Sequence, residues 1–229
     1  MFTQKGDGWA IKRLGELSEV KDGTHDSPKY ASIGIPFVTQ KNIRSDGLSL
    51  ENVRYISEKD HDDFYRRSNV QLGDIIISMI GANRGMFCLV DDPQIFSIKN
   101  VGLIKSNPDI NQNYLLYFLK SQFAADYVTS ASRGGAQEFI GLTKLRDFPV
   151  LIAPFEKQAV IVQSLDLLLG ISQELEIVYR QKLAAIAELK QALLQKAFAG
   201  ELTKDFRAAM AAPKASAGVE VQAALTLFG

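Results

Sequence analysis

The chain has 229 residues, with 26 basic side chains balancing 26 acidic ones and 46% hydrophobic content. That length bounds it to one large domain, or one domain with an extension, and the composition affords a sizeable core without disulfides or metal. The neutral balance excludes recognition of a polyanion by bulk charge, so any nucleic-acid surface must come from local arrangement.

Cys88 is the single cysteine, so no disulfide and no cysteine-rich zinc site forms within one chain. Its setting, "MFCLV", reads as a buried strand rather than a thiol nucleophile. No apolar run reaches the roughly eighteen residues of a membrane span. The opening "MFTQKGDGWA" lacks the apolar stretch of a signal peptide, so a cytoplasmic protein without membrane partners is expected.

In chain order, strands are predicted at 35–40, 53–57, 74–80, 85–90 and 101–106, separated by turn chemistry such as "KDGTHDSPK", "RSDGL" and "DDPQ". A short helix is predicted over 60–67. A longer one is predicted over 111–130, where Leu115, Leu116, Leu119, Phe123 and Tyr127 recur at helical spacing. A helical turn is expected at 142–148 and a last strand at 148–154. The fold class is α+β: a mostly-strand domain with packed helices, followed by one long helix.

That helix is the clearest periodic signal. Steps of four and three give Ile161, Leu165, Leu168, Leu175, Tyr179, Ile186, Leu189 and Leu193, a heptad-like seam broken by Ser172, Lys182 and Lys196. Unbroken from 155 to 199 it would run roughly 65–70 Å. Gly200 is the expected stop and Gly170 the weak point, where the alternative is a hairpin of two shorter helices. A domain core covers one end of such a seam at most, so the rest is expected to pair with another long helix as a coiled-coil spacer. The expected domains are therefore 1–153 for recognition, 154–200 for spacing and dimerisation, and a partly flexible tail at 201–229.

The search for chemistry is mostly negative. The sequence carries no Walker A or dinucleotide-binding glycine motif, no H-E-x-x-H and no serine elbow. The carboxylates of "DHDD" read as solvated helix or turn residues rather than cation ligands. "NPDI" at 107–110 lacks the second proline and the aromatic of an amino-methyltransferase motif. No enzyme is expected and no metal site. What remains are loops carrying side chains suited to nucleic acid. His25 and Lys29 lie in "THDSPKY", and Gln40, Lys41, Asn42 and Arg44 in "TQKNIR". Asn83 and Arg84 lie in "GANRG", and Arg133 and Gln137 in "SRGGAQ". Asn and Gln can read adenine bidentately, while Arg and Lys can contact guanine or phosphate.

Four stretches in this order carry a resemblance: "GWAIKRLGELSEVKDGTHDSP", "GIPFVTQKNI" with "GDIIISMIGANRG", "GAQEFIGLTKLRDFPVLIAPFEKQAVIV" and "LKQALLQKAFAGELT". Together, over roughly 8–205, the chain resembles the specificity subunit of type I restriction–modification systems, in a half-size form with one target-recognition domain. The resemblance implies a non-catalytic subunit that binds one half of a split target in double-stranded DNA. It also implies methyltransferase subunits that use S-adenosylmethionine on adenine, and through them restriction subunits that use ATP and Mg. The chain itself would hold no cofactor. Family members with two recognition domains carry two antiparallel long helices; one helix here implies a homodimer through the seam. Two other readings compete: a protein–protein adaptor, and the recognition fragment of a fused restriction–methylation enzyme.

Overall fold

The computed structural model describes residues 6–81, 83–132, 139–202 and 204, and the chain divides after Leu167 into two compact units. The first unit opens with strand β1 (Ala10–Arg13), the short helix α1 (Leu14–Leu17) and β2 (Val20–Asp22). Then come β3 (Ile35–Val38), a single 3-10 turn (Gln40–Asn42), and the two-residue strands β4 (Ile43–Arg44) and β5 (Gly47–Leu48). Next are β6 (Arg54–Ile56), helix α2 (Glu58–Ser68), β7 (Ile75–Ser78), β8 (Phe87–Leu89), β9 (Ser97–Ile98) and β10 (Val101–Ile104). Helices α3 (Gln112–Leu119), α4 (Gln122–Ala131) and α5 (Leu142–Arg146) precede β11 (Pro149–Ile152) and helix α6 (Phe155–Phe198).

A four-stranded antiparallel sheet of order β2-β10-β7-β8 divides the apolar interior in two. Ile75 and Ile77 join one cluster with Leu14, Leu115, Leu119 and Phe148, whereas Ile76 joins the other with Val38, Ile98 and Leu103. Successive strand residues face opposite sides, and here both sides are buried. "DIIISMI" therefore reads as an unbroken apolar run instead of an alternation. Cys88 sits on the neighbouring strand and is fully buried; burial pushes its thiol up to about 12. Asp74, at the foot of β7, is fully buried too. Its Oδ1 accepts from the Ser106 N–H (2.8 Å) and its Oδ2 from Lys105 Nζ (2.5 Å).

A three-stranded sheet of order β6-β3-β9 covers the second cluster, with β3 antiparallel to β6 and parallel to β9. Residues 22–24 stitch this sheet to β10. The Gly23 N–H donates to Val101 O (2.9 Å) and the Thr24 N–H to Ile98 O (3.0 Å). A Cβ on Gly23 would lie 2.3 Å from Ile98 O, so the close approach needs glycine there.

The predicted single helix over 111–130 is two helices. Asn111 caps α3, accepting from the N–H groups of Asn113 and Tyr114. Ser121 then caps α4 through the Ala124 N–H. The break lets Leu115 and Leu119 of α3, and Ala124 and Val128 of α4, reach one cluster. A straight helix of that length could not wrap the same core. The N-terminal stretch, which had no predicted element, forms β1 and pairs antiparallel with β11, Ala10 opposite Ile152 and Arg13 opposite Pro149. Strand β11 and helix α5 lie where sequence patterning puts them.

Helix α6 runs unbroken through Gly170, so the hairpin alternative is wrong. Gly200 follows it with φ +76°, the left-handed conformation of a helix stop. Within the first unit, its opening turns are anchored by Gln158, 2% exposed. The side-chain Oε1 accepts from the Asn111 N–H (2.8 Å) and the Nε2 donates to Ala153 O (2.9 Å). Val162 is buried beside Tyr114 and Ala153, and Ile161 packs on that cluster. Asp166 accepts from the Tyr117 hydroxyl.

In the second unit the same helix leaves Leu168, Leu175, Tyr179, Ile186, Leu189 and Leu193 exposed. Among the described residues no helix is long and apolar enough to cross a membrane.

Candidate nucleic-acid interface

A cleft of about 410 Å³ opens on the β6-β3-β9 side of the first unit. Strand β3 ends at Val38, and the chain turns at once into the 3-10 turn, capped by Thr39. This turn sets Gln40, Lys41 and Asn42 along one wall, with Arg44 just beyond on β4. Arg54 on β6, Lys99 and Asn100 between β9 and β10, and Tyr30 complete the surroundings. Lys41, Arg44, Arg54 and Lys99 face one carboxylate among the described lining residues, that of Glu51. In a chain of zero net charge, this is a local excess of cations.

The residues singled out in the sequence take different places. Lys41 is exposed and Gln40 half-buried, its side chain packed against Gly81. Arg44 reaches back to Glu51, with 3.4 Å between NH1 and Oε2. Asn42 is structural instead. Its Oδ1 accepts from the Thr39 N–H (2.9 Å) and hydroxyl (3.2 Å), and its Nδ2 donates to Ser49 O (3.0 Å). At 8% exposure it holds the turn together and has no edge to offer a base. Asn83 acts from behind: its Nδ2 donates to the carbonyls of Gln40 (3.4 Å) and Ile43 (3.3 Å), tying the β7–β8 loop to the cleft wall. Arg84 is half-buried in the same loop.

His25 does not line the cleft but adjoins it. Its Nδ1 lies 2.8 Å from Asn100 Oδ1, and its Nε2 lies 3.1 Å from Asp22 Oδ2. Asp22 in turn accepts from Arg67 Nε (2.9 Å) and NH2 (2.6 Å). Lys99 Nζ donates to Ser27 Oγ (2.7 Å), so the 22–27 segment is fastened to the cleft at two points. Lys29 is exposed beside Tyr30. Arg133 and Gln137 lie outside the described residues. Sequence reasoning missed Arg54, Lys99 and Asn100. The available signal was positional: Arg54 opens a strand whose Ile56 is buried, and Lys99-Asn100 separates two apolar runs, with Asn100 at φ +53°.

The carboxylates of "DHDD" are helix residues. Ser57 Oγ donates to Asp60 Oδ2 (2.8 Å) at the start of α2, and Asp63 pairs with Arg66 at 2.7 Å. Among the described residues no group of three or more His, Cys, Asp or Glu is placed to hold a metal ion.

The profile of the type I restriction modification DNA specificity domain matches residues 6–182. The chain belongs to that family. The specificity-domain match takes in all the cleft residues and the larger part of α6. Among curated relatives, the type I restriction enzyme EcoBI specificity subunit of Escherichia coli is 28% identical over 176 residues, covering 76% of this chain and 37% of that protein. The EcoKI specificity subunit of E. coli K12 is 22% identical over 199 residues, covering 84% of this chain and 42% of that protein. This specificity-domain chain thus spans about four-tenths of the length of the curated relatives it matches. In fold it resembles the HsdS subunit from Thermoanaerobacter tengcongensis, with a TM-score of 0.59 and 21% identity over 87% of this chain and 47% of that one. A chain from a structural study of the assembly and conformational transition of the type I R-M system gives 0.67 and 21%, over 87% and 48%.

Proposed function

We propose that this chain is a DNA specificity subunit, or part of one, of a type I restriction–modification complex, and that the cleft beside the 3-10 turn contacts one half of a split target. The observation that carries the reading is the local charge: four cations around one carboxylate in an otherwise neutral chain. Positive charge gathered on one surface neutralises phosphates and releases counterions, which drives binding to DNA. In this reading the chain performs no chemistry. It positions methyltransferase subunits, which bring S-adenosylmethionine to adenine, and through them restriction subunits with ATP and Mg. The test is an electrophoretic shift of duplex DNA by the chain co-expressed with its methyltransferase subunits. Specific retention over competitor DNA is expected, and loss of retention at low salt as well as high would overturn the assignment.

We further propose that the second unit pairs with another long helix, most simply that of a second copy. The exposed seam from Leu168 to Leu193 supports this, since apolar side chains at heptad spacing are stabilised by burial against a like surface. Sedimentation should give a dimer at micromolar concentration. Replacing both Ile186 and Leu193 with Glu should return a monomer, and an unchanged sedimentation coefficient would refute the pairing.

A further inference from the structure

One cationic side chain of the cleft is laid against an aromatic ring. The Arg54 guanidinium carbon lies 4.4 Å from the centroid of the Tyr30 ring. Tyr30 is in turn 6.4 Å from Phe37, at a tilt of 52°, and Phe37 stacks on Phe64 of α2 at 5.6 Å and 25°. Phe37 is 1% exposed and Phe64 half-buried, so the column that begins at an exposed arginine runs into the core at Phe37. Strand register supports the same alignment. Phe37 and Arg54 are direct partners across the β3–β6 pair, which places their side chains on one face of the sheet.

An exposed arginine ordinarily samples many rotamers, and ordering it on binding costs affinity. A guanidinium laid against a ring that is itself braced by a buried aromatic keeps its planar fork in one orientation. That is different equipment from the other cations of the cleft. Lys41 is an exposed point charge suited to phosphate, and Arg44 is engaged with Glu51. A pre-oriented fork matches the O6 and N7 acceptors that guanine presents in the major groove, whereas phosphate contact needs no such bracing.

We propose that Arg54, positioned by the Tyr30–Phe37–Phe64 column, is a specificity-determining residue that reads a guanine of the target. The proposal rests on the reading of the cleft as the DNA-contacting surface. It assigns discrimination to one side chain and leaves general affinity to its lysine neighbours. Tyr30 is a positioning residue in this scheme: its ring matters and its hydroxyl does not.

The experiment uses the full chain co-expressed with its methyltransferase subunits and a pool of duplex DNA with randomised positions. Sequencing the bound fraction defines the wild-type preference. R54A should abolish the preference at a single G·C pair, a loss of roughly 5- to 100-fold in discrimination there, and leave the other positions intact. R54K keeps the charge but not the fork and should behave like R54A. Y30F should match wild type, while Y30L should blur the same G·C pair. Circular dichroism melts confirm that the variants fold. A preference unchanged in R54A overturns the role of Arg54. A uniform loss across sequences in R54A, with a salt dependence shallower by about 0.9, makes it a phosphate contact and also overturns the proposal. A wild-type pool with no enriched sequence overturns the DNA reading of the cleft itself.

Discussion

The sharpest handle on the cleft is Glu51, because its removal should strengthen binding while removal of a neighbour weakens it. Glu51 is 76% exposed in its side chain and pairs with an Arg44 that is 46% exposed. Such a pair is worth about 0.5 kcal/mol, so E51Q should leave folding stability nearly unchanged. In the proposed DNA complex the same carboxylate would repel phosphate and occupy Arg44. With Gln in its place, Arg44 is free to neutralise a phosphate, and the slope of log affinity against log salt should steepen by about 0.9. K41A should do the opposite, making the slope shallower by about 0.9. Between about 50 and 200 mM salt, a slope change of this size alters the ratio of variant to wild-type affinity about three- to fourfold. Fluorescence anisotropy of a labelled duplex, titrated at four or five salt concentrations, reads both slopes. Parallel lines for K41A and wild type, or weaker binding by E51Q at every salt concentration, would refute the reasoning.

Three further outcomes follow from buried groups. K105M should cost about 3–5 kcal/mol in urea denaturation, because it strands the fully buried Asp74 carboxylate without its cation; a loss below about 1 kcal/mol would refute that pairing energy. Q158A should cost about 2–3 kcal/mol by leaving the Asn111 N–H and the Ala153 carbonyl without their side-chain partner. Hydrogen exchange should locate the loss at the starts of α3 and α6 rather than across the sheets. Cys88 makes stability pH-dependent. The unfolded thiol ionises near 9.0 while the folded one stays protonated to about 12, so its contribution is intact below pH 9 and is lost as pH rises beyond it. The expected loss is about 1 kcal/mol by pH 10. C88A should lose correspondingly less between pH 8 and pH 10, and equal losses in both proteins would argue against the assignment.

Sequence patterning was most informative where one physical signal acted over many residues. The spacing of apolar residues in α6, with no proline in its interior and Gly200 after it, was sufficient for a 44-residue helix. Burial of both faces of β7 showed as an uninterrupted run of isoleucine. Patterning failed where a cap outweighed periodicity. Leu115, Leu119, Phe123 and Tyr127 keep helical spacing across 111–130, yet the Ser121 side chain ends that continuity and starts α4. It failed again at the shortest strands. β4, β5 and β9 are two residues each; β4 and β5 pair with each other across a tight hairpin and β9 pairs with the distant β3, and runs that short leave no periodic trace.

The candidate site divides along the same line. The loop "TQKNIR" was identifiable from its side-chain types, and its Gln40, Lys41 and Arg44 do border the cleft. Side-chain type could not separate those three from Asn42, whose polar atoms are turned inward to hold the turn, or from Asn83, which braces the wall from 40 residues away. By itself the sequence determined the class of fold and the long helix, which follow from composition and periodicity along the chain, and a family resemblance, which four motif stretches carry in order. Only the tertiary structure decided that Arg54, Lys99 and Tyr30 meet beside the 3-10 turn, and that one arginine among several is braced by a column of rings. Those relations join residues up to about 70 positions apart, from Tyr30 to Lys99. They are set by strand pairing and packing, which local sequence does not encode.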